Sequence, residues 1–389
     1  MTTSFVSPRL LMIGGGAVGK LAEVLAQFGL SQPLVVTDPW MVSSATVEKA
    51  LAPLRAAGMA PAVFSDTVPD PTDTVIEAGV AAMKAGDYDC LIGFGGGSPM
   101  DTAKAMAILA AAGPGAKMRD FKVPAQANRA ALPVICVPTT AGTGSEATRF
   151  TVITDTERDE KMLIAGLGAL PLAAVVDFEL TFSVPPRTTA DTGIDSLTHA
   201  LEAFVSKRAN DEADEYALRA MRLIAPNLRT VYREPSNAVA RAAMMKGATL
   251  AGIAFSNSSV ALVHGMSRPI GAHFHVPHGL SNAMLLPAVT EYSLNAALPR
   301  YAEAARAMGI ATAAEGDQSA AAKLLEELRA LNRDLAVPTP GAFGIDPAKW
   351  NGLLPTMAAQ ALASGSPANN PVVPTAEEIV ALYRRAWQG

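Results

Sequence analysis

The first half of the chain alternates two kinds of segment, and this alternation restricts the fold more than any other feature. Short apolar runs that end in Gly, Asp or Pro, such as "PLVVTD", "CLIGFGGGS" and "PVICVPTT", are separated by alanine-rich helical patterns such as "AVGKLAEVLAQFG". Continuous apolar strands joined by helices predict a parallel sheet that is covered by helices on both faces. In such a doubly wound domain, ligands bind at the carboxyl ends of the strands.

The pattern changes at "FSVPPRTTAD", where a Pro-Pro pair ends the preceding segment and a following threonine can cap a new helix. From this point the apolar residues follow helical periodicity. A length of 389 residues also suits two domains better than one core. We therefore predict a doubly wound, Rossmann-like nucleotide-binding α/β domain over residues 1–186 and an all-helical, metal-binding domain over residues 187–389.

Composition and charge limit the classes of partner. The formal net charge is −5, and the basic residues are scattered, which argues against nucleic acid and anionic membranes. Cys90 and Cys136 lie in apolar strand-like runs, as reduced core thiols of a cytoplasmic protein do. The sequence starts without a signal-peptide pattern and contains no run of about 18 apolar residues. We expect a cytoplasmic protein that binds a small molecule.

Two glycine clusters compete for the role of phosphate-binding loop. The first, "GGGAVG" at residues 14–19, matches the G-x-G-x-x-G pattern between a strand and a helix, and Asp38 closes the next strand. This combination is typical of a dinucleotide site in which the carboxylate binds the adenosine ribose, and its charge favours NAD over NADP. The alternatives are that the glycines only make a tight turn and that Asp38 only starts one.

The second cluster, "GFGGGSPMDTAK", offers closely spaced backbone N–H groups, a hydroxyl and the positive end of a helix to a pyrophosphate. A third loop, "VPTTAGTGSEAT", also follows an apolar strand and supplies several hydroxyls. Three such loops after strands of one domain favour a nucleotide over simple chain reversal. The candidate cofactor-binding residues in the second and third loops are Gly96, Gly97, Ser98, Asp101, Thr139, Thr140 and Thr143.

The distribution of histidine predicts a metal site. The sequence has only five histidines: His199 lies one helical turn after Asp195, and the other four fall in the window "HGMSRPIGAHFHVPH". Residues at i and i+4 share one face of a helix and can bind one ion. With His264 and His278 they make a donor set that suits divalent iron, zinc, cobalt or manganese. A single helical histidine is more often a core residue than a ligand, but this concentration favours a metal.

As a set, these stretches resemble the iron-containing (group III) alcohol dehydrogenases. The resemblance is carried by "GFGGGSPMDTAKA", "PTTAGTGSEAT", "ELTFSVPP", "TGIDSLTHALEAFVS" and "HGMSRPIGAHFHVPHGLSNAMLLP", in the family's order over nearly the whole chain. It implies a dehydroquinate synthase-like architecture, a homodimer, and the second glycine cluster as the better phosphate cradle. It implies Fe²⁺, or Zn²⁺ or another divalent ion, on Asp195, His199, His264 and His278. It implies NAD contacts from Asp38, Gly97, Ser98, Thr139, Thr140, Thr143 and Lys161.

One position departs from the family pattern. Similar chains often carry a histidine one turn after the third metal ligand, where this sequence has Arg268. That histidine is usually assigned to the proton relay, so here the proton must leave by bound water, the ribose hydroxyls or another pocket histidine. Among the histidines we take His273 as the candidate relay. Arg268 is a fixed cation with five donors, and we hypothesise that it meets an anionic group of the substrate. The alternative is that it points to a neighbouring carboxylate and shapes the pocket.

The expected function is that of a metal-dependent NAD(H) alcohol dehydrogenase or aldehyde reductase that acts on a short-chain alcohol or aldehyde. Arg268 keeps open a reductase of a carboxylated or sulfonated carbonyl compound, resembling maleylacetate reductases. A metal-dependent lyase or hydrolase without net redox chemistry, and a non-catalytic metal-binding scaffold, are the alternatives of a different class.

Overall fold

The computed structural model describes residues 4–389, which divide into two compact units. One unit comprises Val6–Ser183, and the other comprises Val184–Gly389. Phe5 belongs with the second unit, where its ring stacks on that of Tyr216 with the centroids 5.4 Å apart.

The predicted fold class, an α/β unit followed by an all-helical unit, is confirmed. The first unit contains a parallel sheet, and the second contains only helical elements within the described residues. The boundary predicted after residue 186 falls just beyond the observed division. Residues 1–3 of the predicted first domain lie outside the described part of the chain.

The first unit is built on parallel strands. Its strands are β1 (Leu10–Ile13), β2 (Pro33–Val36), β3 (Ala62–Phe64), β4 (Cys90–Gly95), β5 (Val134–Pro138), β6 (Phe150–Asp155), β7 (Glu160–Ala165) and β8 (Ala173–Val176). Six of them form one sheet in the order β1-β8-β5-β4-β2-β3, and β6 pairs with β7 in an antiparallel hairpin. From β2 the chain moves outward to β3, whereas from β4 it moves the other way to β5. The carboxyl ends of β2 and β4 therefore flank the switch point at which doubly wound sheets bind ligands.

Helices cover both faces of this sheet. They are α1 (Leu21–Gln27), α2 (Pro39–Ser43), α3 (Glu48–Ala56), α4 (Asp73–Lys84) and α5 (Gly97–Ala112). Successive strand residues point to opposite faces, so Leu34 and Val36 pack in the layer of α4 and α5, whereas Val35 packs in the layer of α1 and α3. Cys136 and Cys90 lie in these two different layers as buried free thiols.

The second unit is a bundle around one buried helix, α6. Its helices are α6 (Pro186–Val205), α7 (Asp211–Arg233), α8 (Ala238–Asn257), α9 (Leu262–Phe274), α10 (His278–Ser293), α11 (Leu298–Ala307), α12 (Asp317–Asp334), α13 (Pro340–Phe343), α14 (Pro347–Ala363) and α15 (Ala376–Gln388). α6 packs against α7, α8 and α10 and is buried along most of its length. Among the described helices, α8 alone has the length and mean hydropathy (1.2) to cross a membrane, and 72% of that apolar window is buried inside the protein.

The start of α10 lies directly against α6. A Cβ added to Gly279, the second residue of α10, would stand 2.3 Å from the carbonyl oxygen of Asp191 and 3.3 Å from the Cβ of Asp195. Only a residue without a side chain allows this approach. The approach also brings the preceding residue, His278, to the same face of α6.

We expect Gly279→Ala to lower the free energy of unfolding by about 1–3 kcal/mol, because the added methyl group forces α10 away from α6. Gly352→Ala is the matched control: Gly352 lies in α14 with no atom near its added Cβ. There the replacement should raise stability by about 0.5–1 kcal/mol through helix propensity. Urea unfolding of both variants makes the comparison, and equal stability of the two would contradict the close packing described for α10.

Candidate functional site

Four side chains from three helices of the second unit converge on one point. Asp195 and His199 project from α6, His264 lies in the first turn of α9, and His278 is the first residue of α10. One donor atom of each lies within 4.8 Å of all the others. The Nε2 atoms stand 3.5–3.8 Å from Asp195 Oδ1. The structure thus brings together the four residues that the sequence predicts as metal ligands.

The geometry of this cluster fits one ion. Two donors bonded to a tetrahedral metal at about 2.1 Å stand about 3.4 Å apart, close to the observed separations of the imidazole nitrogens from the carboxylate oxygen. The set has one oxygen, three nitrogens and no thiolate, so it suits borderline divalent ions. Asp195, His199 and His264 are buried, whereas the side chain of His278 is 41% exposed. Of the four candidate ligands, His278 is therefore the one that reaches solvent.

The charges of the cluster favour a cation. Burial alone raises the pKa of Asp195, but the nearby histidines His199, His278 and His264 bring it well below its usual range. Burial likewise lowers the pKa of His264, but hydrogen bonds and charge from Asp195 and Glu202 raise it to about 9. Both pKa shifts mean that the carboxylates stabilise positive charge on the imidazoles beside them. A divalent cation meets the same requirement.

Asn282, one turn after His278 on α10, completes the inner surface of the cluster. Its Nδ2 lies 2.7 Å from Asp195 Oδ1. The same nitrogen lies 3.2 Å from His264 Nε2 and 3.3 Å from His278 Nε2. Its Oδ1 is buried without a hydrogen-bond partner. A buried oxygen in that condition is unfavourable. The amide nitrogen of Asn282 thus contacts three of the four candidate ligands.

Sequence reasoning missed two residues of this site, Asn282 and Glu202. Glu202 is a buried carboxylate on α6, and its Oε2 lies 2.6 Å from Nδ1 of His264. Helical spacing is the signal that could have found both, since Glu202 follows His199 by three positions and Asn282 follows His278 by four.

The two residues predicted for catalysis occupy different places on α9. Arg268 lies one turn after His264, and its Nη1 donates to Ser366 Oγ at 3.2 Å. His273 lies nine positions after His264, which is about 13 Å along a helix axis. Its Nε2 lies 2.8 Å from Gln360 Oε1. The structure does not bring His273 to the metal-ligand cluster, so it gives no support to the predicted proton relay.

The second and third loops of the first unit meet at the carboxyl ends of β4 and β5, which are neighbours in the sheet. The backbone N–H of Thr139 donates to Gly95 O at 2.9 Å, and a Cβ on Gly97 would stand 2.9 Å from Thr143 Cγ2. Close packing of the two loops thus depends on glycine at position 97. The predicted cofactor residues that lie together here are Gly96, Gly97, Ser98, Thr139, Thr140 and Thr143.

Two observations fit a phosphate-bearing ligand at these loops. Helix α5 begins at Gly97 without a side chain that caps its first N–H groups, and uncapped N–H groups at a helix start bind anions. The Oγ1 of Thr139 is buried without a hydrogen-bond partner. Asp38 follows β2, the strand on the other side of the switch point, and its Oδ1 accepts from the N–H of Met41 at 3.0 Å. The turn-starting role of Asp38, left open by the sequence, is therefore observed.

Asp101 differs from the other predicted cofactor residues because both of its carboxylate oxygens are engaged inside the unit. Oδ1 accepts from Ser145 Oγ at 2.6 Å, and Oδ2 accepts from the N–H of Val152 at 2.9 Å. Lys104, completely buried on the same helix, donates to Ser145 Oγ at 2.8 Å and to Phe150 O at 3.0 Å. Asp101 and Lys104 thus hold the third loop in place from within.

Lys161 also has a partner within the first unit. It lies on β7 opposite Thr154 of β6, and its Nζ forms an ion pair with Asp70 Oδ1 at 2.7 Å. The contact described for Lys161 is thus to an acidic loop residue, and the predicted NAD contact of this lysine stays a prediction.

The first glycine cluster binds a carboxylate of the protein itself. Asp177 follows β8, and its carboxylate accepts from the N–H groups of Gly16 at 3.2 Å, Val18 at 3.1 Å and Glu179 at 3.0 Å. The backbone donors that a phosphate would require in this turn are therefore used internally. The second cluster is left as the better candidate for a nucleotide phosphate.

Comparisons with known proteins cover both units. Residues 8–178 match the family model "Iron-containing alcohol dehydrogenase", and residues 189–387 match "Fe-containing alcohol dehydrogenase family, C-terminal". Lactaldehyde reductase of Escherichia coli (strain K12) is 36% identical over 374 residues, which are 96% of this chain and 97% of that protein.

Solved structures agree with the sequence matches. The structure of a 1,3-propanediol oxidoreductase superposes with a TM-score of 0.93 at 34% identity, over 99% of this chain and 100% of that one. Sulfoacetaldehyde reductase from Bifidobacterium kashiwanohense in complex with NAD⁺ superposes with a TM-score of 0.88 at 27% identity, over 100% and 99% of the two chains. These relatives share the dehydroquinate synthase-like architecture predicted from the motifs. With both units matched by family models and close relatives along its whole length, the chain belongs to the iron-containing alcohol dehydrogenase family.

Proposed function

We propose that this protein is an NAD(H)-dependent, metal-assisted alcohol dehydrogenase that interconverts a short-chain aldehyde and its alcohol. The observation that carries the proposal is the convergence of four donors in the second unit, from Asp195, His199, His264 and His278. Two relatives, lactaldehyde reductase and 1,3-propanediol oxidoreductase, are named for short-chain substrates of this class.

The donor set fixes the charge of the site. Asp195 contributes one negative charge and the histidines bind as neutral imidazoles, so a divalent ion held there keeps a net positive charge. Such an ion supplies Lewis acidity, which polarises a carbonyl group and lowers the pKa of an alcohol. Phe255 stacks on His199 with ring centroids 4.3 Å apart, which fixes that ring and shields its face from water. The exposed side of His278 is where a substrate oxygen can approach.

We propose NAD(H) rather than NADP(H) as the hydride carrier. The uncapped start of α5 and the Thr139 hydroxyl supply donors for a pyrophosphate. Asp38 lies after β2, on the other side of the switch point, and its carboxylate would repel the 2′-phosphate of NADP. The sulfoacetaldehyde reductase relative was solved with NAD⁺, which also supports this choice.

Arg268 supports a second candidate, a reductase of short carbonyl compounds that carry a carboxylate or sulfonate. Within the described residues no carboxylate lies at ion-pair distance from Arg268, and its one described hydrogen bond is to Ser366. Burial lowers the pKa of Arg268, and the charge of the nearby Glu202 carboxylate opposes this shift. The alternative in which Arg268 points to a neighbouring carboxylate therefore stays open. Its place one turn after His264 puts its charge on the ligand-bearing face of α9. A guanidinium binds such anions through paired hydrogen bonds.

The proposed function is tested by NADH oxidation with short aldehydes, using purified protein reloaded with Fe²⁺. We expect aldehyde-dependent turnover that a chelator abolishes and added Fe²⁺ restores. Bound metal and bound NADH without turnover of any aldehyde would contradict the dehydrogenase and favour the lyase-like or scaffold alternatives.

Loss of one ligand should remove the metal and the activity together. For His264→Ala and His278→Ala we expect less than a tenth of the wild-type metal content after dialysis, measured by elemental mass spectrometry, because the loss of one imidazole from the four-donor set weakens metal binding. His275→Asn is the matched control, since His275 is exposed and has a φ of 55°, which asparagine tolerates. Full metal content in both ligand variants would refute this assignment.

The role of Arg268 is tested by Arg268→Ala with neutral and anionic aldehydes of equal length. If the guanidinium binds the substrate anion, kcat/KM for the anionic aldehyde falls about 10- to 100-fold, the value of a charge-assisted hydrogen bond, while that for the neutral aldehyde changes little. Arg268→Lys keeps the charge and should recover part of the loss. An equal loss on both aldehydes would show that Arg268 only shapes the pocket.

A further inference from the structure

We propose that Glu202 is a positioning residue of the metal site, which fixes the orientation and the tautomer of His264. The inference deepens the proposed function, since it rests on His264 as a metal ligand. Glu202 belongs to α6, the helix of Asp195 and His199, and it is only 3% exposed. Its carboxylate lies on the far side of the His264 ring from the ligand cluster.

Three hydrogen bonds of this carboxylate are described, each with an N–H group. Oε1 accepts from the N–H of Val263 at 2.6 Å. Oε2 accepts from the N–H of Ala261 at 2.9 Å and lies 2.6 Å from His264 Nδ1. A carboxylate offers only acceptors, so it satisfies all three groups at once.

The contact with His264 determines which ring nitrogen carries the lone pair that can bind a metal. A neutral imidazole has one N–H and one lone pair. When Nδ1 donates its proton to Glu202, the lone pair is on Nε2, which points to Asp195 Oδ1 at 3.5 Å. A ligand nitrogen held this way by an acceptor on the opposite side is already oriented for a metal.

The contacts with Ala261 and Val263 fix the backbone of the same residue. Ala261 precedes α9 and provides no side-chain cap for it, so the Glu202 carboxylate acts as the anion at the start of this helix. One side chain of α6 thereby holds both the ring and the helix start of His264. Two of the ligands lie on α6 itself, and Glu202 ties a third to the same rigid element.

The test compares the Zn²⁺ affinity of metal-stripped wild-type protein and Glu202→Gln, by competition with a chromophoric chelator. Glutamine has the same shape but only one acceptor end, so in either orientation its NH₂ group faces an N–H donor. We expect the dissociation constant for Zn²⁺ to rise 10- to 100-fold, as for other residues that orient a metal-bound histidine. A value within twofold of the wild type, in a folded variant, would overturn the proposal.

Asn210→Ala separates this effect from loss of a helix cap. Asn210 caps α7, accepting from the N–H of Ala213 at 3.1 Å, and it is not part of the ligand cluster. The variant should melt at a lower temperature with an unchanged Zn²⁺ affinity. Weaker Zn²⁺ binding by Asn210→Ala to the same extent as by Glu202→Gln would mean that general destabilisation, and not positioning, explains the result.

A measurement on the wild type decides the question if Glu202→Gln does not fold. In the Zn²⁺-loaded protein with ¹⁵N-labelled histidine, the ring resonances should show a proton on Nδ1 of His264, assigned by correlation of the ring with the His264 backbone. A proton on Nε2 would overturn the proposal. Wild-type protein that binds neither Zn²⁺ nor Fe²⁺ would refute the proposed function itself, which keeps the two failures distinct.

Discussion

The ionised carboxylate of Asp195, 2% exposed inside a helical bundle, is the constraint on which the rest of the second unit depends. An unpaired charge in that position costs on the order of several kcal/mol, so its surroundings must supply hydrogen bonds and positive charge. Imidazoles from three helices and the amide of Asn282 meet this need. Their side chains reach Asp195 only because α10 approaches α6 closely, which Gly279 permits. The close approach of α10 to α6 therefore both packs the bundle and assembles the site.

Much of the fold and of the metal site could be predicted from the sequence, because both follow from local spacing. Alternating apolar strands and helices specify a parallel sheet, and the i, i+4 relation of Asp195 and His199 specifies one helix face. The same reasoning did not identify Glu202 as part of the site. A glutamate in "THALEAF" looks like a solvent-facing position of an amphipathic helix, and only its contact with the start of α9, about 60 positions further along, reveals it as a buried acceptor.

The two glycine clusters illustrate what local sequence leaves open. Both follow a parallel strand and open a helical turn, so both fit an anion site. Their difference lies in the neighbouring strand: Asp177 at the end of β8 fills the first cluster, whereas β5 brings hydroxyls beside the second. Such outcomes are set by tertiary contacts that spacing along the chain does not contain.

The central claim is that one divalent ion is bound by the four converged side chains. Anomalous diffraction at the iron absorption edge, from crystals of the Fe²⁺-loaded protein, measures this directly. The account predicts a single strong peak per chain within bonding distance, about 2.0–2.2 Å, of Asp195, His199, His264 and His278. The absence of a peak at these residues in protein with one equivalent of iron, or a peak elsewhere in the chain, would contradict it.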